Sequence, residues 1–203
     1  SAVSYLYYAD RIYQINLALA GIAVGTVSLP VLSKAFKQKN IKKISNIQNR
    51  SLELSLLLSI PASLGLIIAS KEIVSALFGY GSFTIENVEM TSAALKFFGY
   101  GVPAFALIKI LSNFFFARNN TKTPFYISTF IVLLNIIISV SFFGRFGFVI
   151  IPIATSISTW VGVIIYLYIL NSKNYLLLKN YLFKNILKII LSTIFMSFLL
   201  LFA

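Results

Sequence analysis

The chain has neither cysteine nor histidine, and only five acidic residues among 203. Without cysteine there are no disulfides and no thiol nucleophile, and without either residue no Cys/His metal site can form. Imidazole acid–base chemistry is excluded as well. The acids Asp10, Glu53, Glu72, Glu86 and Glu89 are scattered too widely for paired-carboxylate catalysis or calcium binding. These absences lead us to expect no enzyme, no resident metal and no cofactor. Charge of either sign is scarce at 11%, against roughly 25% in soluble domains. Hydrophobic residues make up 59%, and the mean hydropathy is +0.90. No stretch is polar enough for a soluble domain. The composition is that of one all-α bundle of membrane-spanning helices over residues 1–203.

The basic residues outnumber the acids, for a net charge of +12. In a soluble protein that excess would suggest nucleic acid. Here Lys and Arg fall in short gaps between apolar runs, where topology and anionic lipid headgroups account for them. Membrane lipids are therefore expected partners and nucleic acid is not.

A stretch from Tyr7 to Ser33 organises the reading. Asp10 and Arg11 stand at its head, and Ile12 to Ser33 carries no charge. At about 1.5 Å per residue that run crosses a hydrocarbon core of about 30 Å. With successive residues turned by about 100°, Tyr7, Arg11, Gln14, Ala18, Gly21, Gly25 and Ser28 share one stripe, and Asp10 flanks it. Ile12, Leu19, Ile22 and Val27 occupy the opposite face. Gly21 and Gly25 suit close approach of another helix. An Arg within a span costs about 2.5–3.5 kcal/mol on insertion scales. Arg11 should therefore face a cavity or a partner, or else form a structural ion pair or snorkel to the interface.

Six spans are expected, at about 5–33, 52–70, 88–117, 125–143, 148–170 and 182–202. The first should end near Pro30, and Pro61 should kink the second. Glu53 should pair with Arg50. Ile73–Phe78 is too short to cross and reads as an interfacial helix, followed by turn residues from Gly79 to Thr84. Thr84 and Glu86 suit the start of the third span, which contains Lys96, Pro103 and Lys109. The Lys109 amine should snorkel toward Arg118, with a polar cavity as the alternative. Thr121 or Thr123 should cap the fourth span, with Pro124 in its first turn. Asn135, inside that span, needs a hydrogen-bond partner and reads as helix–helix glue rather than an ion ligand. Thr155, Ser156, Ser158 and Thr159 can bond their own backbone.

Loop charges set the orientation. Lys34, Lys37, Lys39, Lys42, Lys43 and Arg50 follow span one, Arg118 and Lys122 follow span three, and Lys173, Lys179, Lys184 and Lys188 follow span five. Positive loops stay cytoplasmic. Ser1 is thus expected outside, in the periplasm of a bacterial inner-membrane protein. There is no initiator Met or signal peptide. The last apolar run reaches Ala203 with no polar flank, so we expect a segment of a longer protein.

Three stretches carry a family resemblance. They are Ser4-Tyr5-Leu6-Tyr7-Tyr8-Ala9-Asp10-Arg11 with Gly21-Ile22-Ala23-Val24-Gly25-Thr26 and Leu29-Pro30-Val31-Leu32-Ser33; Leu77-Phe78-Gly79-Tyr80-Gly81-Ser82-Phe83-Thr84; and Phe116-Ala117-Arg118-Asn119-Asn120-Thr121-Lys122-Thr123-Pro124. Over about residues 1–170 the chain resembles the MurJ (MviN) lipid II flippases of the multidrug/oligosaccharidyl-lipid/polysaccharide (MOP) exporter superfamily. The resemblance implies half of a two-bundle transporter, similar to the eighth to thirteenth of about fourteen helices, working by alternating access. It implies lipid II, an undecaprenyl-diphosphate-linked precursor, as substrate, and a missing N-terminal bundle as partner. By the same comparison Arg11 would meet the diphosphate, with Asp10, Gln14 and Tyr7 shaping the pocket and Ser4 at its outer mouth. Many relatives have Glu where this chain has Gln14. Lys109 and Asn135 are secondary candidates, although Ser139 beside Asn135 is a poor substitute for a carboxylate. Pro61, Pro103 and the glycines of span one would permit bending. A polysaccharide or O-antigen flippase, or a MATE-like exporter, is the alternative within the superfamily.

Overall fold

A computed structural model describes residues 2–81 and 83–201. Ser1, Ser82 of the turn motif and Phe202 of the expected sixth span lie outside the described residues. The described chain is helical, with short connections. α1 (Ala2–Leu17) passes through a π-helical section, Ala18–Ala23, into α2 (Val24–Lys37). α3 (Ile41–Ile68), a short α4 (Ser70–Phe78) and α5 (Ile85–Phe116) follow. α6 (Lys122–Phe146), α7 (Ile150–Ser172) and α8 (Asn180–Leu201) complete the bundle.

Five helical segments are long and apolar enough to cross a membrane, and one of them, Lys122–Ser172, is a hairpin. Its 51 residues would measure about 77 Å if straight, more than twice a hydrocarbon core. The chain reverses at Gly147–Val149, where Gly147 takes a φ of 59° that only glycine adopts freely, and α6 packs beside α7. The hairpin therefore holds the fourth and fifth of the six expected spans.

The first boundary differs from the sequence reading. Pro30 does not end the helix, which continues to Lys37. α3 begins at Ile41, ahead of the expected Leu52, because the Asn40 side chain accepts from the Lys43 amide at 2.9 Å. The expected basic gap is largely two helix ends that carry lysines. Glu53 is not paired with Arg50. It accepts from the Asn185 side chain on α8 at 2.9 Å. The fourth span is capped by Asn120, which accepts from the Thr123 amide at 3.1 Å, and not by Thr121 or Thr123. Thr84 does cap α5, accepting from the Asn87 amide at 3.3 Å.

α5 is the central pillar, packed against α1, α3, α4 and α7. Toward its N-terminal end it buries Leu95, Phe98 and Val102, with Ala9, Ile12 and Tyr13 of α1. Toward its C-terminal end it buries Leu111, Phe114 and Phe115, with Leu32, Ile44 and Tyr166. By contrast α6 has only Pro124 and Ile127 buried, which suits a lipid-facing span. Small residues set the separations. A Cβ on Gly101 would stand 2.8 Å from Ser156 Oγ and 3.3 Å from Ser156 Cα. Gly101→Val should force α7 off α5, costing about 1–3 kcal/mol by overpacking. A lowered unfolding temperature in detergent would show it, while an unchanged one would mean the interface yields freely.

Candidate functional site

The face that the periodicity groups together is split by the π-helical section. Tyr7, Arg11, Gln14 and Ala18 are exposed, whereas Gly21, Gly25 and Ser28 are buried. A π turn adds a residue to the helix, rotating everything beyond it by about 100° relative to a regular helix. The small residues thereby turn into the bundle. A Cβ on Gly21 would meet Ala106 Cα at 3.2 Å, and the Gly25 carbonyl accepts from the buried Asn113 side chain at 2.8 Å. The polar residues stay on the open side. On the opposite face Leu19, Ile22 and Val27 are exposed, whereas Ile12 is buried against α5.

Arg11 does not pair with Asp10. Its Nη2 donates to the Tyr7 hydroxyl at 2.9 Å, and the guanidinium carbon lies 4.8 Å from the Tyr7 ring centre. Asp10 instead accepts a hydrogen bond from the Gln14 side-chain amide. The physical reason is spacing. Residues four apart on a helix stand above one another, whereas Asp10 and Arg11 diverge by about 100°. Among the described residues the one ion pair is Lys71–Glu89 at 3.3 Å, on the surface. Arg11 therefore presents a cation steadied by a phenol and neutralised by no carboxylate. Beneath it the buried Tyr13 ring stacks on Phe98 at 5.2 Å and meets Phe105 edge-on at 5.3 Å. These contacts fix the rotation of α1, and with it the exposure of Arg11. Ser4 lies one turn before Tyr7 and Tyr8 and is exposed. Tyr8 packs on Phe78 and Phe83, tying α1 to the loop between α4 and α5.

Lys109 and Asn135 stand apart from this group. Lys109 lines a cleft of about 430 Å³ with Gly21, Gly25, Thr26, Ser112 and Asn113. Its stem lies over Gly21, ten residues or roughly 15 Å along the helix from Arg11. Lys109 is exposed at the edge of this cleft. The Asn135 amide donates to Thr155 Oγ1 at 2.9 Å, and its carbonyl oxygen accepts from Ser139 at 3.5 Å. That is helix–helix glue within the α6–α7 hairpin, remote from Arg11. Asn135→Ala should cost about 1 kcal/mol, the worth of one such bond, read as a small fall in melting temperature. A fall several times larger would mean that Asn135 does more than bridge the hairpin.

One polar cluster escapes sequence reasoning altogether. Gln48 and Asn49 on α3 are fully buried and bond the backbone of 175–179, which reads from sequence as a featureless basic gap. The clue was available, since Ser45, Gln48 and Asn49 put three polar residues on one face of a span-forming helix.

The whole chain, residues 1–203, matches the family model described as lipid II flippase MurJ. A probable lipid II flippase MurJ of Rhizobium tropici is 39% identical over 163 residues, covering 80% of this chain and 31% of the relative. The lipid II flippase MurJ of Burkholderia cenocepacia is 36% identical over 134 residues, covering 66% of this chain and 26% of the relative. Among solved structures, lipid II flippase MurJ in an inward closed conformation superposes with a TM-score of 0.82 at 33% identity. That match covers 98% of this chain and 40% of the solved one. The chain thus spans about a third of the length of the curated relatives it matches.

Proposed function

The chain belongs to the lipid II flippase MurJ family, and on that premise we propose that it forms one bundle of a flippase. The flippase moves a polyprenyl-diphosphate-linked peptidoglycan precursor from the cytoplasmic to the outer leaflet. The names of the relatives favour lipid II over the polysaccharide or drug substrates of other exporters in the superfamily. The observation that carries the reading is Arg11, an exposed cation at the head of a membrane helix with no acid bonded to it.

Arg11 binds the diphosphate. Its planar fork reaches two phosphate oxygens at once. Tyr7 holds the fork in place, and Ser4 stands at the outer mouth. Asp10 and Gln14, bonded to each other, leave the cation free for the anion. With Gln14 in place of the acid found in many relatives, this position has no ionisable group. Lys109 adds a second positive point deeper in the membrane, met by the headgroup as access alternates. Transport consists of rocking against a second bundle, so no covalent step is needed. The basic residues of 34–43 and 173–188 support a bacterial inner-membrane orientation with the Ser1 end in the periplasm.

The test grafts residues 1–203 in place of the matching segment of the Rhizobium tropici relative and expresses the chimera in cells depleted of their own lipid II flippase. Growth and outer-leaflet lipid II should both be restored. A chimera that reaches normal protein levels yet restores neither would overturn the reading.

A further inference from the structure

Between α7 and α8 the chain runs as an extended strap, and the side chains of α3 read its backbone as a neighbouring β-strand would. Gln48 Nε2 donates to the Tyr175 carbonyl at 2.9 Å, and Gln48 Oε1 accepts from the Leu177 amide at 3.1 Å. Asn49 repeats the pattern two residues on. Its Nδ2 donates to the Leu177 carbonyl at 2.7 Å, and its Oδ1 accepts from the Lys179 amide at 2.9 Å. Ser45 Oγ adds a bond to the Leu177 carbonyl at 2.9 Å. Both amides are fully buried, so an opened clamp would strand donors and acceptors away from water.

Arg118 closes the other side. Its Nη2 donates to the Tyr175 carbonyl at 2.8 Å and its Nη1 to the Phe114 carbonyl at 2.6 Å. The guanidinium lies 4.2 Å from the ring centres of both Phe36 and Tyr175. One cation therefore joins the ends of α2 and α5 to the strap. Burial lowers its pKa to about 10, so it stays charged at neutral pH. α8, which the strap introduces, packs chiefly against α3.

We propose that Gln48, Asn49 and Arg118 are positioning residues for transport: they form a pin at the cytoplasmic side that stays closed through the cycle. α2, α3, α5 and α8 then move as one body, and the strap is never released. Closure throughout follows from the energetics. Opening would break five side-chain bonds from Ser45, Gln48 and Asn49, the Arg118 bond and the sandwich around the guanidinium together. This rests on the transport reading above, and the test separates the two.

The absence of cysteine makes the chain ready for paired crosslinking. The Lys179 amine donates to the Asn46 side chain on the exposed rim of the pin. In the chimera, Asn46→Cys with Lys179→Cys would be bridged by a short bismaleimide and assayed in vesicles for lipid II transport. Transport should stay within about twofold of the unbridged protein, equivalent to about 0.4 kcal/mol. A loss of about tenfold or more on bridging, in a protein that transports before it, would overturn the pin and leave the flippase reading standing. A second variant, Arg118→Lys, keeps charge but loses the fork and the double stacking. It should raise the mobility of a spin label at Leu178→Cys and lower transport. Unchanged mobility with full transport would also overturn the pin. If the unbridged chimera fails to transport, the flippase reading fails first.

Discussion

Arg11→Ala in the chimera should abolish growth and outer-leaflet lipid II while leaving the protein level unchanged. The two halves of that result have separate physical origins. Arg11 is exposed and makes one hydrogen bond, to Tyr7, four residues earlier on the same helix. Removing such a side chain changes stability by about 0.5 kcal/mol or less. A diphosphate, however, would lose two charge-assisted bonds worth about 1.5–3 kcal/mol each. That amounts to roughly 10²- to 10⁴-fold weaker binding. Arg11→Lys should fall between, since it keeps the charge and loses the two-pronged geometry. Tyr7→Phe removes only the hydroxyl that steadies the guanidinium, and its effect should be several-fold smaller than that of Arg11→Ala. Normal growth of Arg11→Ala at normal protein level would remove Arg11 from the binding site, even with the family unchanged.

The second large effect is on stability and lies at the other end of the molecule. Asn49→Ala should lower the stability of the bundle by about 2–4 kcal/mol, because a buried amide group left without its partner costs about 1–3 kcal/mol and further bonds go with it. Asn49 makes three strong contacts: with the Leu177 carbonyl at 2.7 Å, the Ser45 carbonyl at 2.7 Å and the Lys179 amide at 2.9 Å. Ser45 can still serve the Leu177 carbonyl, but nothing else in the clamp replaces the acceptor for the Lys179 amide. In a chain of this size the loss corresponds to a fall of roughly 5–15 °C in melting temperature. Asn46→Ala, three residues away on the exposed face, is the matched control and should change little. Equal melting of the two variants in detergent would show that the buried amides do not hold the strap.

The membrane class and the number of spans follow from the residues alone. Apolar run length against bilayer thickness is a local property, and so is the positive bias of the loops. Arg11 could be singled out for the same reason, since a charge within a span is costly whatever surrounds it. Turn and cap chemistry was partly legible. Thr84 caps α5 as its sequence suggests, while Asn120 outcompetes the threonines beside it because its amide reaches both the Thr123 amide and the Thr123 hydroxyl.

Two features were decided by tertiary structure, and a third by the geometry of a single helix. The π-helical turn at Ala18–Ala23 sends the polar and the small residues of one stripe to different sides, and periodicity assumes a regular helix throughout. Asp10 takes Gln14 rather than Arg11, because helix geometry joins residues four apart and separates adjacent ones. The strap at 175–179 has no pattern of its own. Its order comes from Gln48, Asn49 and Arg118, which lie 57 or more residues away in the chain. Local sequence specifies what a segment can be in a membrane. Which way its side chains face, and what an unpatterned segment is bonded to, depends on neighbours that only the folded chain brings together.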